Sequence, residues 1–157
     1  SIEQIKERED ALKKEKEEAD KAASSGTSGQ KAASGAATNN GAIAGDVNDT
    51  LLLAALIQSE SGYEPYQGQV AVGTVVMNRL RTGKYGTSIY SVIYAKGQFG
   101  PAGTGKVASI YAQGPKQSCI QAAQEAMSGV SCIGTATHFR SIKSGIPGIV
   151  IGNHVFW

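Results

Sequence analysis

The sequence has few of the residues that build disulfide scaffolds, metal clusters or membrane spans. Its 157 residues include only two Cys, two His, one Trp and four Pro. Two cysteines are too few for a disulfide-rich scaffold, a zinc knuckle or an iron–sulfur site. No apolar run approaches the roughly 18 residues that a membrane span requires, so we expect no transmembrane segment. The chain begins at Ser1 without a basic and apolar leader, so we expect any signal peptide to have been removed or left out.

Charge is also sparse, and it is divided unequally along the chain. Charged residues make up 18% of the sequence. Residues 1–41 hold seven basic and eight acidic groups, whereas residues 42–157 hold eight basic and five acidic groups, a net charge of +3. This scattered positive charge suits an anionic polymer, but it lacks the clustered basic face that nucleic-acid binding requires. We therefore expect no nucleic acid partner.

The first 23 residues are dominated by Glu, Lys and Ala. Ile5, Leu12 and Ala19 recur every seven residues, but the other seam positions are mostly charged. This pattern predicts the end of a longer coiled-coil stalk, and the alternative is a charged tail with helical propensity. A coiled-coil partner, or self-association through this helix, would follow from the first reading.

The next segment, residues 24–45, consists mainly of Gly, Ser, Ala, Thr and Asn. Such a composition buries too little apolar surface to offset the entropy of ordering, so it predicts a flexible linker. A globular domain over residues 46–157 is expected to follow.

Apolar periodicity and helix-stop signals predict an α+β, mainly helical domain. The extended segments come late in the chain and carry β-branched and aromatic residues. The expected elements are a helix begun by Asn48 or Asp49 and ended by Gly62, a central buried helix over residues 66–81, a short helix over 88–94, a Gly-rich loop or hairpin over 95–114, a helix over 115–127, and extended segments over 135–142 and 149–157.

The predicted domain has only five acids, and one of them differs from the rest. Asp46 and Asp49 are placed to favour a helix N-terminus, and Glu125 lies on an otherwise solvated helix face. Glu60 ends an apolar helix just before the Gly62 break. Burial there would raise its pKa, as a general acid at neutral pH requires.

The segment that starts at Glu60 reads Glu60-Ser61-Gly62-Tyr63-Glu64-Pro65-Tyr66-Gln67-Gly68-Gln69-Val70-Ala71-Val72, and Asn78-Arg79 follow it. Together they resemble the signature of the SleB/CwlJ-type cell wall hydrolases. Val92-Ile93-Tyr94 with Gln98-Phe99, and the terminal Ile151-Gly152-Asn153-His154-Val155-Phe156, resemble that family's later landmarks in the same order. Ile57 to Pro65 is also similar to the run around the acid of lysozyme-like lytic transglycosylases. The chain departs from the first family at Ser61, at Tyr63 and around His138.

The resemblance implies a lysozyme-like catalytic domain that degrades peptidoglycan outside the cell, in association with the cell wall. It implies Glu60 as the catalytic residue, with no cofactor and no metal. The residues expected to contact the glycan are Tyr94, Gln98, Phe99, His138 and Asn153.

The small number of acids favours a lytic transglycosylase over a hydrolase. Glycoside hydrolysis commonly uses two carboxyls at a defined separation. The nearest second acid, Glu64, is flanked by Gly62 and Pro65, and we expect it to stabilise the Pro65 turn or cap the next helix. A single Glu60 can serve as acid and then base if the muramic C6 hydroxyl attacks C1. A hydrolytic muramidase of the same fold and a non-catalytic glycan-binding or regulatory module are the alternatives.

Cys119 and Cys132 allow two further readings. A disulfide between them would require the chain to double back along the predicted helix, so bridged and free thiols both stay open. A peptidase that pairs one of them with His138 is the most different enzyme class. Neither cysteine has the sequence context of a known nucleophile.

Overall fold

The computed structural model describes residues 38–43 and 45–157, so the predicted stalk and most of the predicted linker lie outside the described residues. The described part is mainly helical with two small sheets, as the sequence predicts. In chain order its elements are β1 (Thr38–Asn39), α1 (Val47–Ser61), α2 (Tyr66–Thr82), α3 (Ile89–Ile93), α4 (Gly100–Gly103), α5 (Lys106–Gln113), α6 (Gln117–Met127), β2 (Val130–Ser131), β3 (Phe139–Ser141), a 3-10 turn (Ile142–Ser144), β4 (Ile149–Ile151) and β5 (His154–Phe156).

The core lies where α1, α2 and α6 meet. Helix α2 is buried along most of its length, as predicted for the central helix. Its Gly73 makes close packing possible, because a Cβ there would lie 2.9 Å from both Ala126 Cβ and Ile57 Cδ1. Among the described residues, no helix is both long and apolar enough to cross a membrane.

Helix α1 begins with a reciprocal cap. The Asp46 carboxylate accepts from the Asp49 backbone N–H at 2.8 Å, and the Asp49 carboxylate accepts from the Asp46 N–H at 3.2 Å. The N-cap is therefore Asp46, slightly before the predicted Asn48 or Asp49. The predicted end is confirmed, because Gly62 caps the helix.

The prediction of a loop or hairpin over residues 95–114 was wrong. This segment contains α4 and the two-turn helix α5. The glycines that suggested a loop lie at the helix boundaries, where Gly105 (φ +84°) and Gly114 (φ +95°) adopt backbone conformations that favour glycine. Because Val107 is the one buried residue of α5, the segment carries little helical periodicity.

The late extended segments form an antiparallel sheet in the order β3-β5-β4. Strand β5 is central, and its Phe156 faces Phe139 on one side and Ile149 on the other. Gly152, at φ +59°, forms the turn from β4 to β5. This turn brings the residues after it against the loop that follows α1.

Residues 38–43, within the segment predicted as linker, are hydrogen-bonded to the domain. Strand β1 pairs antiparallel with β2, and the Ile43 N–H donates to the Met127 carbonyl at 2.9 Å. The Asn40 side chain donates to the Gly134 carbonyl at 2.7 Å and to Asn78 Oδ1 at 3.2 Å. The ordered domain thus includes residues before the predicted boundary at 46.

Candidate active site

Glu60 is the penultimate residue of α1 and lies where that helix leaves the core. The preceding residues Leu53 to Ile57 are fully buried, and Glu60 itself is partly buried. Burial raises the pKa of the Glu60 carboxyl, while the positive charge of Lys106 acts in the opposite direction. The Lys106 Nζ also donates to the Ser59 carbonyl at 3.4 Å, which places it beside the end of α1. A carboxyl whose pKa is raised by burial therefore lies next to a cation that would stabilise its ionised form.

The loop after Glu60 is held by local hydrogen bonds. The Gly62 N–H donates to the Gln58 carbonyl at 3.0 Å, and the Glu64 N–H donates to the Ser61 carbonyl at 3.0 Å. The buried Gln69 side chain donates from Nε2 to the Glu64 carbonyl at 3.2 Å. These bonds fix the path of the chain immediately after the candidate acid.

Of the two roles predicted for Glu64, stabilising the Pro65 turn or capping the next helix, the structure does not show the cap. Its Oε1 accepts from the Asn153 N–H at 2.7 Å, and its Oε2 accepts from the Asn153 side chain at 3.0 Å. The His154 Nδ1 lies 3.5 Å from Oε1. Helix α2 has Pro65 at its N-cap and no side-chain cap.

The electrostatic state of Glu64 is the reverse of that of Glu60. Burial alone would raise the pKa of Glu64, but the two hydrogen bonds from Asn153 and the neighbouring His154 outweigh burial and lower that pKa. A Cβ at Gly152 would lie 2.7 Å from Glu64 Oε1, so the turn must carry glycine for this contact to form. Glu64 is thus an ionised carboxylate that links the loop after α1 to the β4–β5 turn.

Arg79 joins several of the residues predicted to contact a glycan. Its Nε donates to the Thr137 carbonyl at 2.7 Å, and its Nη1 donates to Gln98 Oε1 at 3.3 Å. The guanidinium carbon lies 4.8 Å from the centre of the Phe99 ring. Gln98 and Phe99 are therefore held together by a buried cation, and Phe99 itself is only 6% exposed.

Asn78 ties the segment before β3 to α2. It donates to the carbonyls of Gly134 and Ala136 at 3.2 and 2.8 Å, and its Oδ1 accepts from Arg81 at 2.9 Å. Asn78 is buried, and these hydrogen bonds satisfy its polar side chain. The loop that Asn78 and Arg79 hold lies at residues 134–137, whereas Gln69 holds the loop after Glu60.

His138 stacks on the Trp157 ring, with ring centres 5.4 Å apart and planes 15° apart. Burial and the nearby Arg79 charge lower the pKa of His138. A neutral ring in this position fits a positioning role.

Four of the five predicted glycan-contact residues belong to one connected group, because Phe139 contacts the rings of both Phe99 and His154, and His154 lies beside the Glu64–Asn153 contact. Gln98 and Phe99 surround Arg79, His138 stacks on Trp157, and Asn153 is engaged by Glu64. Tyr94 lines a separate cavity along the N-terminal half of α1. Their roles toward a glycan stay predictions.

Two features beside Glu60 were missed by sequence reasoning. Lys106 was not recognised, because the segment that carries it was predicted as a loop. Tyr63, three residues after Glu60, is 98% exposed, and its ring lies 4.5 Å from Lys116 Nζ. The signal that could have identified Tyr63 was its departure from the resemblance at that position.

The cysteines are free thiols, so the disulfide weighed between Cys119 and Cys132 is absent. Cys119 Sγ lies 3.5 Å from Gln69 Oε1 in the core, a partner that α2 supplies. Burial raises the pKa of both thiols, and the charge of Glu125 raises the pKa of Cys132 further. A nucleophilic cysteine needs a lowered pKa, so the arrangement does not support a peptidase. Within the part of the chain that the structure describes, no three His, Cys, Asp or Glu residues cluster as metal ligands would.

Comparison with known proteins gives consistent matches. The profile of the family described as Cell Wall Hydrolase matches residues 63–157, a range that begins three residues after Glu60. A spore cortex-lytic enzyme from Halalkalibacterium halodurans is 29% identical over 117 residues, covering 69% of this chain and 34% of that protein. A spore cortex-lytic enzyme from Bacillus subtilis is 35% identical over 82 residues, covering 52% of this chain and 26% of that protein. The chain therefore spans about a third or less of the length of these relatives.

Two solved structures share the fold. The catalytic domain of the Bacillus cereus SleB protein has a TM-score of 0.64 at 27% identity, covering 76% of this chain and 96% of that one. The catalytic domain of the germination-specific lytic transglycosylase SleB from Bacillus anthracis has a TM-score of 0.63 at 27% identity, covering 71% of this chain and 95% of that one. Both likenesses extend over nearly the whole of the solved domain.

Proposed function

Because the chain belongs to the cell wall hydrolase family, we propose that it is a peptidoglycan-degrading lytic transglycosylase with Glu60 as its single acid and base. The observation that carries the proposal is the contrast among its acids. Burial raises the pKa of Glu60, whereas the contacts of Glu64, four residues further on, lower its pKa. A raised pKa keeps a carboxyl protonated closer to neutral pH, as proton donation to a leaving group requires.

The other four acids have structural partners. Asp46 and Asp49 cap α1 reciprocally, and both oxygens of Glu64 accept hydrogen bonds from Asn153. The Glu125 carboxyl is hydrogen-bonded to the Tyr66 hydroxyl. A carboxylate whose pKa has been lowered is a poor base, so Glu64 is not suited to activate water beside Glu60. This supports a reaction that needs one carboxyl.

The proposed reaction uses the Glu60 proton twice. Protonated Glu60 donates to the glycosidic oxygen between muramic acid and glucosamine as the bond from that oxygen to muramic C1 breaks. The resulting carboxylate, stabilised by Lys106, then accepts the proton of the muramic C6 hydroxyl while its oxygen bonds to C1. The products are a 1,6-anhydromuramic end and a free glucosamine 4-hydroxyl, and Glu60 is protonated again. No water enters.

The substrate we propose is peptidoglycan outside the cell. The relatives are named spore cortex-lytic enzymes, and one solved neighbour is named a germination-specific lytic transglycosylase. A net charge of +3 over residues 42–157 suits an anionic wall polymer. Vegetative walls and cortex would both be tested, since they differ in muramic lactam content.

The experiment that tests Glu60 is clearing of purified cell walls by the parent and by Glu60→Gln. The amide keeps the size of the side chain but has no acidic proton to transfer to the leaving group, so the expected clearing rate falls about 10²–10⁴-fold. Thermal melting shows whether the variant is folded. Equal clearing by both proteins would remove the catalytic claim, and absence of clearing by the folded parent on either wall type would favour the non-catalytic binding module.

A further inference from the structure

An open cavity lies along the N-terminal half of α1, away from Glu60. Its volume is about 300 Å³, and its wall includes Tyr90, Tyr94 and Tyr111 together with Asn48 and Leu52. This volume is at the lower end of the range for small-molecule sites and is sufficient for a single ring. The cavity is assigned no role in the reaction proposed above.

Tyrosine rings form much of the wall of this cavity. Tyr90 and Tyr94 lie with ring centres 4.6 Å apart and planes tilted by 31°. Tyr90 is 59% exposed, although it is a large aromatic side chain. Amphipathic rings that are accessible at one face suit a pyranose, because its C–H face packs on the ring and its hydroxyls reach polar groups nearby.

The polar groups at the cavity are mostly neutral. The Tyr111 hydroxyl donates to Asn48 Oδ1 at 3.2 Å, which places an amide and a phenol at the same edge. Asp49 is the one charged residue among those that line the cavity, and its carboxylate already accepts from the Asp46 N–H. Neutral hydroxyl and amide groups with ring faces favour a sugar over a charged peptide.

Glu60 and the cavity lie towards opposite ends of helix α5. Helix α5 runs antiparallel to α1, because Lys106 contacts Ser59 at one end and Tyr111 contacts Asn48 at the other. Asp49 and Glu60 are about three helical turns or 16 Å apart, but Leu53 and Leu56 between them are fully buried, so the accessible path between the two places runs over the exposed side of α5. A polymer bound at Glu60 and lying across α5 would reach the tyrosines after several sugar units.

We propose that the cavity formed by Tyr90, Tyr94, Tyr111 and Asn48 is a distal sugar-binding subsite for the same glycan strand that reacts at Glu60. The inference rests on the proposed function for its choice of ligand. It gives the protein a preference for long strands, because a strand that fills both places gains binding that a short fragment cannot obtain.

The test measures binding without cleavage, with the Glu60→Gln protein as the reference. Calorimetry compares peptide-free glycan strands of many disaccharides with a single tetrasaccharide, in that protein and in the same protein carrying Tyr90→Ala and Tyr94→Ala. The expected result is at least tenfold weaker binding of long strands after the tyrosine changes, so that long and short glycans bind alike. A tenfold weaker affinity corresponds to about 1.4 kcal/mol of binding free energy.

Two controls separate a lost ring face from a lost fold. Tyr90→Phe keeps the ring and is expected to retain most of the preference for long strands, whereas Tyr90→Ala alone is expected to lose part of it. Because Tyr90 is largely exposed, its removal opens no core cavity, and thermal melting checks this directly.

An unchanged preference for long strands in the folded tyrosine variants would overturn the proposal. So would binding of free stem peptide that disappears with the same substitutions, or self-association of the parent that they abolish. The two claims are tested by different results. Cleavage by the Glu60→Gln protein would contradict the proposed function, whereas the binding comparison between long and short glycans tests the distal subsite.

Discussion

Two glutamates, one at the end of α1 and one against the turn between β4 and β5, have surroundings that shift their pKa values in opposite directions. At the end of α1, burial dominates and the pKa of Glu60 rises, with only the Lys106 charge acting against it. At the β4–β5 turn, the backbone and side chain of Asn153 donate to Glu64, and its pKa falls although burial acts in the other direction. The two residues are four positions apart in the chain.

This difference shows that the protonation behaviour of two neighbouring carboxyls can be inferred from the hydrogen-bond donors around each of them. A carboxyl that holds its proton can act as an acid, whereas one that accepts two N–H groups serves as a structural anion. The sequence predicts that Glu64 stabilises the Pro65 turn or caps the next helix, because Gly62 and Pro65 flank it. In the structure, both oxygens of Glu64 accept from Asn153, which lies in the β4–β5 turn almost ninety residues further along the chain.

The largest expected effect comes from exchanging each glutamate for glutamine. Glu60→Gln is expected to lose about 10²–10⁴-fold in clearing rate without a lower melting temperature, because its role is proton transfer. Glu64→Gln is expected to clear walls at a rate within about tenfold of the parent rate, when assayed below the melting temperature of the variant. The reason is that Glu64 transfers no proton in the proposed reaction. Wall clearing and thermal melting of both variants measure this split, and the reverse pattern would exchange the roles we assign.

The next effect is on the turn that holds Glu64. Gly152→Ala places a side chain at φ +59° and within 2.7 Å of Glu64 Oε1, so both strain and a lost contact follow. We expect a loss of about 2–4 kcal/mol in the free energy of unfolding, measured with urea.

Gly145→Ala is the matched control for this turn. Its φ of +73° imposes similar strain, but a Cβ there has nothing within 4 Å. It should therefore cost about 1–2 kcal/mol, the strain alone. Equal losses in the two variants would mean that the contact with Glu64 contributes nothing.

A smaller effect is the loss of charge at Glu64. Because its pKa in the folded protein is below the ordinary value of 4.5, its stabilisation is present above pH 4.5 and is lost as the pH falls through the lowered pKa. Glu64→Gln should cost about 1–3 kcal/mol near neutral pH, and the difference should shrink in acid. Urea unfolding across pH measures this, and a difference independent of pH would show that the charge is irrelevant.

The smallest effect is on the stability of the Glu60 variant. Because the pKa of Glu60 is raised in the folded protein, its contribution to the free energy of unfolding is retained below pH 4.5 and is lost as the pH rises through the raised pKa. Glutamine stays neutral, so Glu60→Gln should gain melting temperature relative to the parent as the pH rises. A gap that closes on raising the pH would contradict burial of Glu60.

Much of the helical core could be predicted because periodicity and stop signals agree there. The apolar run before Gly62 and the valines after Tyr66 form α1 and α2 close to the expected bounds. Helix α5 could not be predicted, because its burial rests on Val107 alone and its flanking glycines indicate a loop. The pairing of β1 with β2 was hidden in a segment whose composition is typical of a linker.

The site was predictable only in part, for a related reason. Glu60 could be singled out because a local apolar helix precedes it. The rest of the site depends on tertiary packing, which no local pattern encodes. Examples are the hydrogen bonds from Asn153 to Glu64, the groups around Arg79, and the cavity that Tyr94 lines away from Gln98 and Phe99.

The most direct measurement of the central claim is mass spectrometry of glycan digested in water enriched in heavy oxygen. The account predicts 1,6-anhydromuramic ends with no heavy oxygen incorporated, because Glu60 passes the proton between two sugar oxygens without water. Reducing muramic ends that carry heavy oxygen would contradict it and establish a hydrolase.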